Sequence, residues 1–128
     1  MNSITLLFAL LAALVHVLIF LMESFWFMRP NVYSRFGVEN ADDAATNRLF
    51  VFNQGFYNLF LAITALVGIC LIYLDGNFVV AQTLILSSCL SMSCAAVVLV
   101  FSAGKQLFRA AFIQAIFPTL ACVSWLIL

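Results

Sequence analysis

Apolar residues run along this chain in four long stretches, each of about twenty residues or more, separated by short polar breaks. The first stretch covers about 4–28 and stops at Arg29-Pro30, where a charge meets a ring that a helix interior does not accept. A polar segment from Asn31 to Arg48 follows. Within it Asn40 stands before Ala41-Asp42-Asp43, an N-cap residue followed by acids in a first turn, which predicts a second helix over about 41–74. Asp75-Gly76-Asn77 reads as a tight turn, after which the third helix covers about 78–101 and the fourth, beyond Ser102-Ala103-Gly104-Lys105, about 107–128. A helix rises about 1.5 Å per residue and a bilayer core is about 30 Å thick, so each stretch is long enough to cross. The pattern predicts an all-α polytopic membrane protein, a single domain built as a four-transmembrane-helix bundle with short loops.

Composition strengthens that reading. Hydrophobic residues make up 66% and charged residues 8%, and mean hydropathy is +1.20, whereas soluble domains carry about 25% charged residues. Four crossings leave no room in 128 residues for a soluble catalytic domain. Met1-Asn2-Ser3 lacks the basic flank of a secretory signal, and the stretch behind it exceeds a signal's apolar core, so a retained helix is expected. Net charge is zero with five basic residues, which excludes nucleic acid as a partner. Arg29, Arg35 and Arg48 fall at the first connection and Lys105 and Arg109 at the third. Basic residues stay cytoplasmic, so both termini and the Asp75-Gly76-Asn77 turn are expected on the periplasmic or exterior side.

Four cysteines, at 70, 89, 94 and 122, form no CxxC pair and have no neighbouring His; they read as small hydrophobes, and neither a metal nor a cofactor is expected. In the third stretch Ser87, Ser91 and Ala95 recur at four-residue spacing, a small-residue stripe that would let another helix approach closely.

The candidate chemistry lies in polar side chains within apolar stretches. His16 and Glu23 are seven residues apart, which puts them within about 20° on one helix face. An intramembrane carboxylate costs several kcal/mol unless paired, protonated or hydrated, and marks a functional candidate. The run Asn53-Gln54-Gly55-Phe56-Tyr57-Asn58 sets four polar side chains at i, i+1, i+4 and i+5, which reads as one polar face, with Gly55 permitting close approach. Counting inward from Arg29 and Arg48 at about 1.5 Å per residue puts Glu23, Asn53 and Gln54 in one layer and His16, Tyr57 and Asn58 deeper. The same count from Arg109 puts Gln114 in the Glu23 layer. Pro118, which cannot donate to the Gln114 carbonyl, predicts a break facing protein or water.

The His16 to Glu23 spacing, the Asn53–Asn58 run, and Gln114 with Pro118 together resemble the bacterial four-helix membrane family named domain of unknown function 1304 (DUF1304). The resemblance covers nearly the whole chain, although Ser102-Ala103-Gly104-Lys105-Gln106 keeps only part of the family's Ala-Gly-x-Tyr-Gly-like segment. It implies the four-helix fold and a place in the bacterial inner membrane, and no activity.

Three functions are compatible with these residues. One is a site that binds or acts on a small apolar or lipid-like molecule, with His16 and Glu23 as catalytic proton-transfer groups and Asn53, Gln54, Tyr57, Asn58 and Gln114 as ligand-binding groups. A second is a proton-coupled small transporter. The third is an accessory subunit whose polar face holds helices together within the bundle or against a partner. Membrane lipids are the expected surroundings, and a homo-oligomer is compatible with all three.

Overall fold

A computed structural model describes all residues from Met1 to Leu128 and contains helices and turns but no strand. Helix α1 spans Ser3–Ser24, a short α2 spans Pro30–Tyr33, α3 spans Ala41–Tyr73, α4 spans Phe78–Ala103 and α5 spans Phe108–Ile127. Three helical segments are long and apolar enough to cross a membrane: Ser3–Ser24, Ala41–Tyr73 and Phe78–Ile127. The last holds α4 and α5, joined by a 3-10 turn at Gly104–Leu107 where Gly104 takes φ 63°. Neighbouring helices pack in a ring, α1 on α3, α3 on α4, α4 on α5 and α5 back on α1.

Local chemistry sets most helix ends. The Asn2, Asn40 and Asn77 side chains each accept from the backbone N–H three residues on, starting α1, α3 and α4. Between α3 and α4 the chain reverses with Asp75 at φ 52° while the Gly76 N–H donates to the Leu71 carbonyl at 2.8 Å, a 6→1 closure.

The first stretch ends earlier than the apolar pattern implies. α1 stops at Ser24, where the Leu21 carbonyl accepts from both Phe25 and Trp26, at 3.1 and 3.0 Å. Arg29-Pro30 is therefore not the end of α1. Pro30 instead opens α2, a position where its missing N–H costs nothing. The apolar residues beyond Ser24 serve a different purpose: Phe27 and Tyr33 pack with Ala44 in a small core, Phe36, Val38 and Val51 closing around it. The connection read as polar is thus partly helical and folded onto the first turns of α3, with Gly37 at φ 77° ending a 3-10 turn at Ser34–Phe36. α4 and α5 differ from expectation only by a residue or two at their shared junction, within ordinary fraying.

Alanines dominate the interior, beside a few large side chains such as Leu6, Ile69, Ile85 and Met92, and many of the large apolar residues lie on the exterior. Ala9, Ala12, Ala13, Ala62, Ala65, Ala81 and Ala121 are fully buried, while Leu14, Phe60, Val98 and Phe112 are more than half exposed. That is the reverse of a water-soluble core, and it suits helices that gain by backbone approach while large side chains meet lipid. Gly68 shows how close the approach is: a Cβ there would lie 2.7 Å from Ile85 Cγ1 and 2.8 Å from the Ala81 carbonyl. The face of α4 that packs inward carries Ala81, Ile85, Ser88, Cys89, Met92 and Ala96. Ser87, Ser91 and Ala95 are exposed, so the stripe read from spacing lies beside the contact face rather than on it. Its periodicity was sound but its rotation about α4 depended on neighbours that only packing supplies.

At the end of the ring holding the termini, α1 and α5 are tied by Thr5 and Ser124, whose hydroxyls lie 2.9 Å apart, and by Asn2, whose amide donates to the Ser124 carbonyl at 3.4 Å. At the opposite end Gln106 donates to the Gly37 carbonyl at 3.3 Å, joining the first and third connections.

Candidate functional site

Glu23 lies in the last turn of α1 and is 4% exposed. α3 comes against it at Gly55, and this close approach uses the missing side chain: a Cβ would fall 2.1 Å from Ser24 Oγ, 3.1 Å from Glu23 Cβ and 3.2 Å from the Phe20 carbonyl. Ser24 spans the same contact, its hydroxyl donating to the Phe52 carbonyl at 2.9 Å. With the backbones so close, two amides of α3 reach the carboxylate. Asn58 Nδ2 donates to Glu23 Oε2 at 2.8 Å, and Gln54 Nε2 donates to Oε1 at 3.4 Å. No Lys or Arg nitrogen lies within 4.0 Å of it, and no ion pair forms anywhere in the chain. Each carboxylate oxygen has an amide donor, and the group has no counter-cation.

His16 occupies the same face of α1 two turns deeper and is 1% exposed. Its Nδ1 lies 2.9 Å from the Ala12 carbonyl. A carbonyl only accepts, so Nδ1 carries the hydrogen, and in the neutral ring Nε2 keeps a free lone pair with no hydrogen-bond partner. No hydrogen bond joins His16 to Glu23.

The polar run of α3 is split by its neighbours. Gln54, though exposed, and half-buried Asn58 both reach Glu23 of α1, whereas exposed Asn53 bonds only the Leu49 carbonyl of its own helix, at 2.9 Å. Tyr57 is 69% exposed and stacks edge-on against Phe60, with ring centroids 6.5 Å apart. Four residues at those spacings cover about 140° of a helix, wider than one contact face, so Gly55 and its partners select two of them.

Gln114 also moves. The Thr5 to Ser124 contact fixes the register of antiparallel α1 and α5. Ten residues back from Ser124 and eleven on from Thr5, Gln114 stands about level with His16, not with Glu23. It is half-buried and makes no side-chain hydrogen bond. Depth counted from Arg109 misplaced it because that arginine belongs to the first turn of α5, deeper than the charges that follow α1. Pro118, one turn further along the same face, is fully buried. The expected polar constellation is therefore two groups: a connected one, Glu23 with Asn58, Gln54 and the Ser24 tie, and a deeper level holding His16 and Gln114. The close approach expected at Gly55 is where α1 and α3 meet, whereas Ser24 was the part least visible in sequence, since a serine at a helix end is common and its partner lies 28 residues away.

Among the surface grooves, two lie away from Glu23. One of about 280 Å³ is an open groove along the exposed face of α3 at Ala45, Arg48, Leu49 and Phe52. The other, of about 170 Å³, lies between α4 and α5.

Residues 10–126 match the family model described as Protein of unknown function (DUF1304), and the chain belongs to that family. No curated protein matches it, and no solved structure does.

Proposed function

We propose that this DUF1304 protein crosses the bacterial inner membrane four times and uses the Glu23 carboxylate to bind, and to exchange a proton with, a small apolar or lipid-like molecule carrying a polar head. One observation carries the reading: a buried carboxylate held by Asn58 and Gln54 with no cation beside it. Amide donors alone do not offset several kcal/mol of charge burial, so such a group needs a proton or a cationic partner. A molecule with a protonated basic head can supply both the cation and an exchangeable proton while its apolar part stays in the bundle or bilayer. His16 Nε2, on the same face, serves as a second proton acceptor deeper in the interior. Asn58 and Gln54 orient the carboxylate. Gln114 offers amide groups at the depth of His16, whereas Asn53 and Tyr57 contribute from the lipid-facing side of α3.

In this reading both termini lie on the exterior side and the connections bearing Arg29, Arg35, Arg48, Lys105 and Arg109 are cytoplasmic. Reporter fusions at Leu128 and within 104–107 should read opposite sides; the same side would remove the fourth crossing.

The function is tested by extraction in mild detergent and mass spectrometry of copurified small molecules. Wild type should retain a species that Glu23→Ala and Asn58→Ala lose while remaining folded. Identical profiles in all three proteins would refute the binding reading. They would favour a second one, in which the same contacts are a polar tie in an accessory subunit or homo-oligomer; the Ser24 to Phe52 bond at the close crossing of α1 and α3 speaks for that role.

A further inference from the structure

Between α4 and α5 an open groove of about 170 Å³ is lined only by apolar side chains, among them Ala96, Val100, Phe108, Ala111 and Ala115. Three alanines make the space: their short side chains leave unfilled volume that larger residues would close. The groove opens sideways, between large exposed side chains such as Val97 and Phe112. Its end lies at the Gly104–Leu107 turn, where the chain reverses from α4 into α5.

The charges at that end are one-sided. Lys105 and Arg109 flank Phe108 in sequence, both are exposed, and neither pairs with an acid. No Asp or Glu occurs anywhere from Phe78 to Leu128. The first connection differs, since Glu39, Asp42 and Asp43 accompany Arg29, Arg35 and Arg48 there. α5 also begins without a side-chain cap, so the positive end of its dipole adds to the two cations. An apolar slot that ends at uncompensated positive charge is complementary to one kind of molecule: an anion carrying an aliphatic chain.

We propose that the groove between α4 and α5 seats the headgroup-proximal part of one acyl chain of an anionic phospholipid, whose phosphate is bound by Lys105 and Arg109. The occupant comes from the leaflet at that end of the ring. The small alanines admit the chain, and the two cations select the headgroup over a zwitterionic one. This site is separate from Glu23 and does not depend on its role.

The test is native mass spectrometry of the full chain released from nanodiscs of equimolar phosphatidylglycerol and phosphatidylcholine. Wild type should carry one phosphatidylglycerol in clear excess. Lys105→Gln and Arg109→Gln should each lower the preference roughly fivefold, and the double variant roughly twenty-five-fold. Ala111→Phe fills the slot and should reduce retention of both lipids, while Lys105→Arg should keep the preference and shows that the turn is intact. Arg29→Gln with Arg48→Gln should leave it unchanged. Equal retention of the two lipids by wild type would overturn the proposal, as would equal loss from the Arg29 and Arg48 variants, which indicates diffuse charge and an annular lipid only.

Discussion

Replacing Gly55 with alanine tests whether backbone contact between α1 and α3 is what assembles the carboxylate site. The new Cβ would meet Ser24 Oγ at 2.1 Å, Glu23 Cβ at 3.1 Å and the Phe20 carbonyl at 3.2 Å. The serine hydroxyl can rotate away, but only by giving up its bond to the Phe52 carbonyl; the other two atoms yield only if the helices part by a few tenths of an ångström. Overpacking of this kind costs about 2 kcal/mol, and an interhelical hydrogen bond in a membrane is worth about 0.6 kcal/mol. Alanine regains about 1 kcal/mol of helix propensity, leaving a net loss of about 1.5 kcal/mol for Gly55→Ala. Ser24→Ala alone should cost about 0.6 kcal/mol. In the double variant the shortest contact and the bond it breaks are both already gone, so the total should stay near 0.6 to 1 kcal/mol rather than the additive value of about 2 kcal/mol. The measurement is the unfolding free energy in an SDS titration followed by tryptophan fluorescence and circular dichroism. Additivity within about 0.4 kcal/mol, or a neutral Gly55→Ala, would refute the argument that this contact is steric and passes through Ser24.

Other outcomes follow from the same geometry. Gly68→Ala should be the more damaging glycine substitution, by about 3 kcal/mol in the same titration, because its Cβ would meet the Ala81 backbone carbonyl at 2.8 Å as well as Ile85 at 2.7 Å. Asn58→Ala leaves the Glu23 carboxylate with only the longer Gln54 bond and should destabilise by about 1 to 2 kcal/mol. Asn53→Ala and Tyr57→Phe should each stay within about 0.5 kcal/mol, since one bonds its own helix and the other is exposed; a loss from them matching that of Asn58→Ala would contradict the division of the α3 face. In detergent, a small apolar maleimide should label Cys70 and Cys94 and spare Cys89 until unfolding; early labelling of Cys89 would mean that the core of α4 is open.

What could be learned without coordinates was whatever depends on neighbours along the chain. Apolar length predicts helices, Asn40 followed by two acids marks where α3 begins, and the low charge content places those helices in an apolar solvent. The polar run of α3 and the seven-residue spacing of His16 and Glu23 also carried enough pattern to indicate the family. Helix rotation and register were not legible, because apolar residues cover these helices all round and hydrophobicity does not say which side faces protein. In water the buried face is the greasy one; here it is the small one, and alanines and glycines become informative only when a partner helix is seen against them. Tertiary contact at Gly55 chose Gln54 and Asn58 over Asn53 and Tyr57, and the Thr5 to Ser124 register moved Gln114 to the depth of His16. The chain by itself determined that polar groups would be buried in apolar helices. Only the packed ring decided which of them meet, since meeting depends on differences of a few tenths of an ångström in backbone separation that no local pattern encodes.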